Sequence, residues 1–159
     1  MKWVNKFKKE LAKIDGLSHT SKPPSFWIPS GNYVLNYTLS GNFRNAFGQG
    51  RVCGLVGPSG SGKSFLLCNA LREAQQALGA YVYVIDSENA LDDDFVQKIG
   101  VDTSEDNYLY TGVITVGHVK KVTSDFIQAY KENGETRPVV IAIDSLGMLL
   151  PGNEFEQIE

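Results

Sequence analysis

Cysteine is scarce in this chain: Cys53 and Cys68 stand alone among 159 residues. Neither has a partner at metal-ligand or redox spacing, which excludes a disulfide scaffold and a cysteine-built zinc site. Both sit in apolar surroundings and read as buried free thiols. Long apolar runs are also missing. No stretch approaches the roughly 20 residues that a membrane-spanning helix needs. The opening "MKWVNKFKKELAKI" has lysines but no continuous apolar core, so it reads as no secretory signal. These absences point to a cytoplasmic protein with no membrane partner. There is no excess of positive charge either, because the formal net charge is −3. A nucleic acid would therefore have to be held by a local surface, not by overall charge. No internal repeat is visible. What remains, 42% hydrophobic and 21% charged residues, suits one soluble domain with a sizeable core.

Residues 3 to 17 place Trp3, Val4, Phe7, Leu11, Ile14 and Leu17 on one face at helical spacing, with Lys2, Lys6, Lys9 and Lys13 away from it. Such a helix docks on its own domain or a neighbour. The sharper alternative is contact with DNA or a membrane. Residues 18 to 31, "SHTSKPPSFWIPSG", read as a linker anchored by Phe26 and Trp27. We therefore divide the chain into residues 1–30, an oligomerisation helix and linker, and residues 31–159, a nucleotide-binding core. "YVLNYTLSG" is ambiguous between strand and helix. From residue 50 the pattern turns regular. "RVCGLV" reads as a buried strand, Ser64 to Leu78 as a helix stopped by Gly79, and "YVYVID" as a second strand. "DDDFVQKIG" reads as a short helix and "YLYTG" as a third strand. Residues 117 to 133 read as a helix, with Val119, Val122, Phe126, Ile127 and Tyr130 on one face, and "PVVIAID" as a fourth strand. Strands alternating with helices, in near-continuous Val/Ile runs, predict an α/β fold with a parallel sheet covered on both faces.

The chemistry begins at "GPSGSGKS", which is Gly57, Pro58, Ser59, Gly60, Ser61, Gly62, Lys63 and Ser64. It fits the phosphate-loop pattern G-x-x-x-x-G-K-[ST] and lies between a predicted strand and a predicted helix, the context that motif requires. Glycines let backbone N–H groups wrap a phosphate, and the helix N-terminus adds its positive end. Lys63 would reach the β- and γ-phosphates of ATP, and the Ser64 hydroxyl would ligate Mg²⁺. "VVIAID" ends at Asp144, where a carboxylate beside the loop can hold the Mg²⁺ shell; the plain reading is a helix-capping acid. No glutamate follows Asp144, since Ser145 does. Glu88, just past the second strand, is the candidate to orient or deprotonate the attacking water. Asp92, Asp93 and Asp94 have a bland reading as acids at a helix start.

A phosphate loop, a Glu after strand two and an Asp-Ser after strand four together resemble the RecA-type recombinases, nearest the phage UvsX-like subgroup. The matching stretches are "GQGRVCGLVGPSGSGKSFL", "VIDSENALDDDFVQKIGVD" and "VVIAIDSLGMLLPGNE", with the lead-in "LSGNFRNAFGQG". They cover roughly residues 30 to 159. The resemblance implies a P-loop NTPase of RecA type that uses ATP and Mg²⁺. It makes Glu88 the catalytic glutamate, Asp92 an acid facing the adenine, Phe95 an aromatic packing on the base and Ser145 a polar sensor of nucleotide state. It implies strand exchange in DNA recombination and repair, a helical filament on single-stranded DNA, and an N-terminal helix that docks on the next protomer. The compartment would be the host cytoplasm if the gene is a phage's. Of the family's DNA-contacting loops, only the start of the first falls here, at residues 151–159. The core thus reads as truncated at its C-terminal end, which leaves turnover by this chain alone an open expectation.

Rival readings remain. A hexameric replicative helicase shares the core motifs. A transport ATPase of ABC type lacks support, because no Glu follows Asp144. A small-molecule kinase would need an arginine-rich lid. A catalytically silent regulator would bind ATP and cap a filament.

Overall fold

The computed structural model describes residues 2–14 and 23–152. Its framework is a parallel sheet of β3 (Tyr81–Asp86), β4 (Tyr108–Gly112) and β5 (Val139–Asp144), in the order β4-β3-β5. The central strand, YVYVID, is almost wholly buried. Because side chains alternate across a strand, one run serves both faces. Val82 and Val84 pack with Cys68 and Leu71 of α3 (Lys63–Leu78) and Val96 of α4 (Asp93–Ile99). Tyr83 and Ile85 point the other way, onto Val119, Val122 and Phe126 of α5 (Val116–Glu132). The Tyr83 and Phe126 rings lie 4.9 Å apart. The fold class is therefore α/β, with helices on both faces of a parallel sheet.

The register carries a functional consequence. Asp86 of β3 stands level with Asp144 of β5, so the two strands end together and their following loops share one edge. That C-terminal edge is where open α/β sheets place their ligands.

Several helix boundaries follow their capping residues. Asp92 accepts the Phe95 amide at 2.7 Å to open α4, and Thr115 accepts the His118 amide at 3.1 Å to open α5. Gly79 closes α3 as expected. "YVLNYTLSG" resolves to a helix, α2 (Tyr33–Ser40), because Asn32 accepts the Leu35 amide at 2.9 Å and Gly41 closes the far end. On α5, Ile127 is exposed, so the buried face is narrower than its spacing implied.

The first 30 residues differ from the expectation. The helix α1 runs Lys2–Leu11 and ends in i→i−3 bonds from Lys13 and Ile14, short of the predicted residue 17. None of its residues is buried, and an amphipathic helix without a surface to pack on frays early. Leu17 and residues 18–22 of the linker lie outside the described residues. The rest of that linker contains β1 (Trp27–Ile28), which pairs antiparallel with β2 (Phe47–Gly48). A Cβ at Gly48 would stand 2.6 Å from Pro24 Cγ, so only glycine admits this close approach.

The predicted strand "RVCGLV" is not a strand here. Val52 and Val56 are 104% and 99% exposed, and Cys53 is exposed, not buried. The apolar run signals a demand for burial, but a strand also needs a ladder partner for its N–H and C=O groups. Residues 51–56 make no ladder with β5, and a cleft of about 220 Å³ between Leu55, Leu66, Leu71 and Val140 marks the gap. Cys68 is buried, and burial followed by the charge of Asp144 lifts its thiol to about 11, so it stays an inert core residue at neutral pH.

Arg137 ties the opposite edge of the sheet. Its Nε donates to Gly79 O and its Nη1 to Asp106 O, both at 2.6 Å, and the guanidinium lies over the Tyr81 ring. Arg137→Ala leaves those exposed carbonyls to water and removes the ring contact. We expect a loss of about 2 kcal/mol and a Tm lowered by about 4–8 °C in a thermal melt. Among the described residues, no helix is long and apolar enough to cross a membrane.

Candidate nucleotide-binding site

The loop Gly57–Ser64 leads into α3, so the helix N-terminus opens at Lys63. Gly60 and Gly62 have φ of 74° and 84°, a region other residues enter at a cost, and this is why the pattern demands glycine there. At Gly57 a Cβ would meet Ser61 Oγ at 2.8 Å, so a larger residue there would make the Ser61 hydroxyl turn aside. Pro58 O accepts the Ser61 amide at 3.3 Å, which turns the loop. Lys63 Nζ donates to Gly57 O at 3.0 Å and Pro58 O at 2.9 Å. The ammonium therefore sits across the loop. A cation, an N-terminal helix dipole and free amides together can hold a polyphosphate.

Two further contacts join the loop to the sheet edge. Ser64 Oγ donates to Asp144 Oδ2 at 2.7 Å, across 80 positions of sequence. A hydroxyl and a carboxylate held together are hard oxygen donors of the kind Mg²⁺ prefers, with phosphate oxygens and water completing its shell. The residues present thus fit that ion. Next, Ser145 Oγ donates to Glu88 Oε1. Ser87 and Ser145 grip each other, with Ser87 Oγ donating to Ser145 O at 2.6 Å and accepting the Ser145 amide at 3.0 Å. The Asp144–Ser145 peptide is cis. Glu88 is exposed, so its carboxylate faces solvent where a water can be held.

The structure brings Ser64, Asp144, Ser145 and Glu88 to one edge, next to Lys63. Asp92 and Phe95 are placed differently. Asp92 spends its Oδ1 on the cap of α4, and Phe95 packs half-buried against the core beneath that helix. Neither bonds to the loop in this geometry. Pro151 and Gly152 are exposed, and residues 153–159 of the expected DNA-contacting loop lie outside the described residues.

Sequence reasoning missed Asp86. It is 2% exposed, and its oxygens accept the amides of Glu88, Asn89, Ala90 and Leu91 at 2.8 to 3.1 Å. The available signal was an acid ending a buried strand before Ser-Glu-Asn, since Asp is prone to bond amides a few residues on.

Comparison with known proteins bears on the family. Residues 8–157 match the sequence profile of the RecA N-terminal domain. Protein RecA of Corynebacterium pseudotuberculosis (strain C231) is 31% identical over 140 residues, covering 88% of this chain and 35% of the relative. Protein RecA of Acidothermus cellulolyticus is 31% identical over 140 residues, covering 88% and 37%. Protein RecA of Corynebacterium urealyticum is 39% identical over 87 residues, covering 55% and 22%. The chain spans about a third of the length of the first two of these relatives.

Proposed function

This chain belongs to the RecA family, and from that premise we propose that it supplies the ATP-binding part of a DNA strand-exchange protein. The observation that carries the reading is the 2.7 Å bond from Ser64 to Asp144, which joins the phosphate loop to the end of β5. In this reading Lys63 and the amides of Gly60 and Gly62 hold the phosphates. Ser64 and Asp144 hold Mg²⁺, which, when bound, neutralises charge developing on the phosphate oxygens. Glu88 orients the attacking water and takes its proton. Ser145, bonded to Glu88, reports whether that carboxylate is engaged. Asp92 and Phe95 would turn from cap and core to line the adenine.

The partner is single-stranded DNA, and the protein self-associates into a filament. The exposed Trp3 and Phe7 on α1 supply an apolar face for a neighbouring protomer. The finer placement, near the phage UvsX-like subgroup, rests on the stretches "GQGRVCGLVGPSGSGKSFL", "VIDSENALDDDFVQKIGVD" and "VVIAIDSLGMLLPGNE" and would set the compartment as a host cytoplasm. The test is ATP turnover with and without single-stranded DNA. We expect turnover to rise at least about tenfold with the DNA, the scale of a stimulated rather than basal ATPase. Turnover indifferent to nucleic acid would sink the recombinase reading. Tight ATP binding with no turnover in either condition would favour a nucleotide-binding regulator.

A further inference from the structure

Burying a carboxylate costs several kcal/mol unless it is fully hydrogen-bonded, so a buried acid on a sheet edge asks for a reason. Asp86 meets that requirement with both oxygens. Oδ1 accepts the amides of Glu88 at 2.8 Å and Asn89 at 2.9 Å. Oδ2 accepts those of Ala90 at 3.0 Å and Leu91 at 3.1 Å, and the Tyr110 hydroxyl at 3.1 Å. Burial, then the charge of Asp86, raises the Tyr110 phenol above its ordinary value, so it remains a donor at neutral pH. The turn so gripped includes Asn89 at φ 54°, a left-handed conformation that asparagine enters more readily than most residues. The backbone of Asp86 is itself fixed, since its carbonyl accepts the Val113 amide at 2.8 Å and its strand pairs on both sides.

We propose that Asp86 is a positioning residue for Glu88: its carboxylate clamps the turn Glu88–Leu91 against the end of β3. The Glu88 side chain is thereby delivered to Ser145 and the Mg²⁺-binding edge. The clamp works from behind the turn, while the Ser87–Ser145 pair holds it from the β5 side. An aspartate is required, not an asparagine, because both oxygens must accept and an amide has one acceptor. Asp86 touches no reacting atom. It acts through Glu88, and the proposal rests on the reading of Glu88 given above.

The test compares Asp86→Asn, Glu88→Gln and the double variant for DNA-stimulated turnover and for binding of a fluorescent ATP analogue. The clamp predicts that Asp86→Asn lowers kcat about 30- to 100-fold, the scale of misplacing a reacting group by about 1 Å, with ATP affinity within about threefold. It also predicts that the double variant is no slower than Glu88→Gln alone, because the two residues act as one unit. A merely structural Asp86 would lower Tm while leaving kcat intact and the effects additive, which overturns the proposal. If Glu88→Gln itself leaves turnover unchanged, the reading of Glu88 falls and the clamp's catalytic role with it. A normal rate from Asp86→Asn beside a slow Glu88→Gln overturns the clamp alone. If Asp86→Asn does not fold, amide exchange in the unaltered chain decides: protection of Glu88–Leu91 without nucleotide supports the clamp, and free exchange overturns it.

Discussion

Lys63→Ala is expected to weaken ATP binding about 30- to 140-fold, read by titration with a fluorescent ATP analogue, and to abolish turnover. Lys63 is the only cation of the phosphate loop, and its ammonium already lies across the loop on the Gly57 and Pro58 carbonyls. Phosphate oxygens would take those donors over, as charge-assisted bonds worth roughly 2–3 kcal/mol net. At about 1.4 kcal/mol per tenfold, that gives the expected loss. The nucleotide-free fold is expected to survive, because the bonds lost are those to the loop's own carbonyls, and alanine favours the first turn of α3. A Tm lowered by more than about 4 °C would show that the lysine supports the loop, not the ligand. Unchanged affinity would remove the phosphate-loop reading altogether.

Much of this molecule was legible in its residues, for physical reasons that differ by element. β3 and β5 are apolar on both faces and end in acids, and the structure buries β3 from both sides. α4 carries its own punctuation, an Asp92 cap and Gly100 just past its last turn. The loop was legible because its glycines occupy backbone conformations that other residues resist. The contacts of Ser64 with Asp144 and of Glu88 with Ser145 follow from the strand register, which places β3 and β5 level.

Other parts were illegible because hydropathy reports a wish for burial, not a partner. "RVCGLV" has the composition of a core strand, yet residues 51–56 lack the hydrogen-bonding neighbour that would make them one. α1 has an apolar face but nothing buried, so its length depends on a surface outside the helix. For α2, apolar spacing was ambiguous, and the deciding signals were Asn32 and Gly41, which lie outside the apolar pattern. Asp86 shows a further limit. An acid at a strand end reads as a ligand, a cap or a clamp with equal ease until its bonds are seen.

Glu88→Gln is expected to lower the turnover rate by about two to three orders of magnitude, the usual yield of a general base, while ATP affinity changes less than about threefold. The substitution is nearly isosteric, and the amide oxygen still accepts from Ser145 Oγ, so the geometry of the turn is retained. The amides gripped by Asp86 are untouched. Only the capacity to take a proton is removed. Binding and chemistry therefore separate: Lys63→Ala fails at binding, whereas Glu88→Gln binds and stalls. In a filament-forming protein the stalled variant has a second signature. Because ATP is bound and not hydrolysed, its complexes with single-stranded DNA should outlast those of the unaltered protein at least about tenfold in a competitor-chase experiment. A variant that turns over ATP at the normal rate would place the base elsewhere and reduce the Ser145–Glu88 contact to a loop staple. A slow variant whose DNA complexes are no longer-lived would keep the base but uncouple hydrolysis from release.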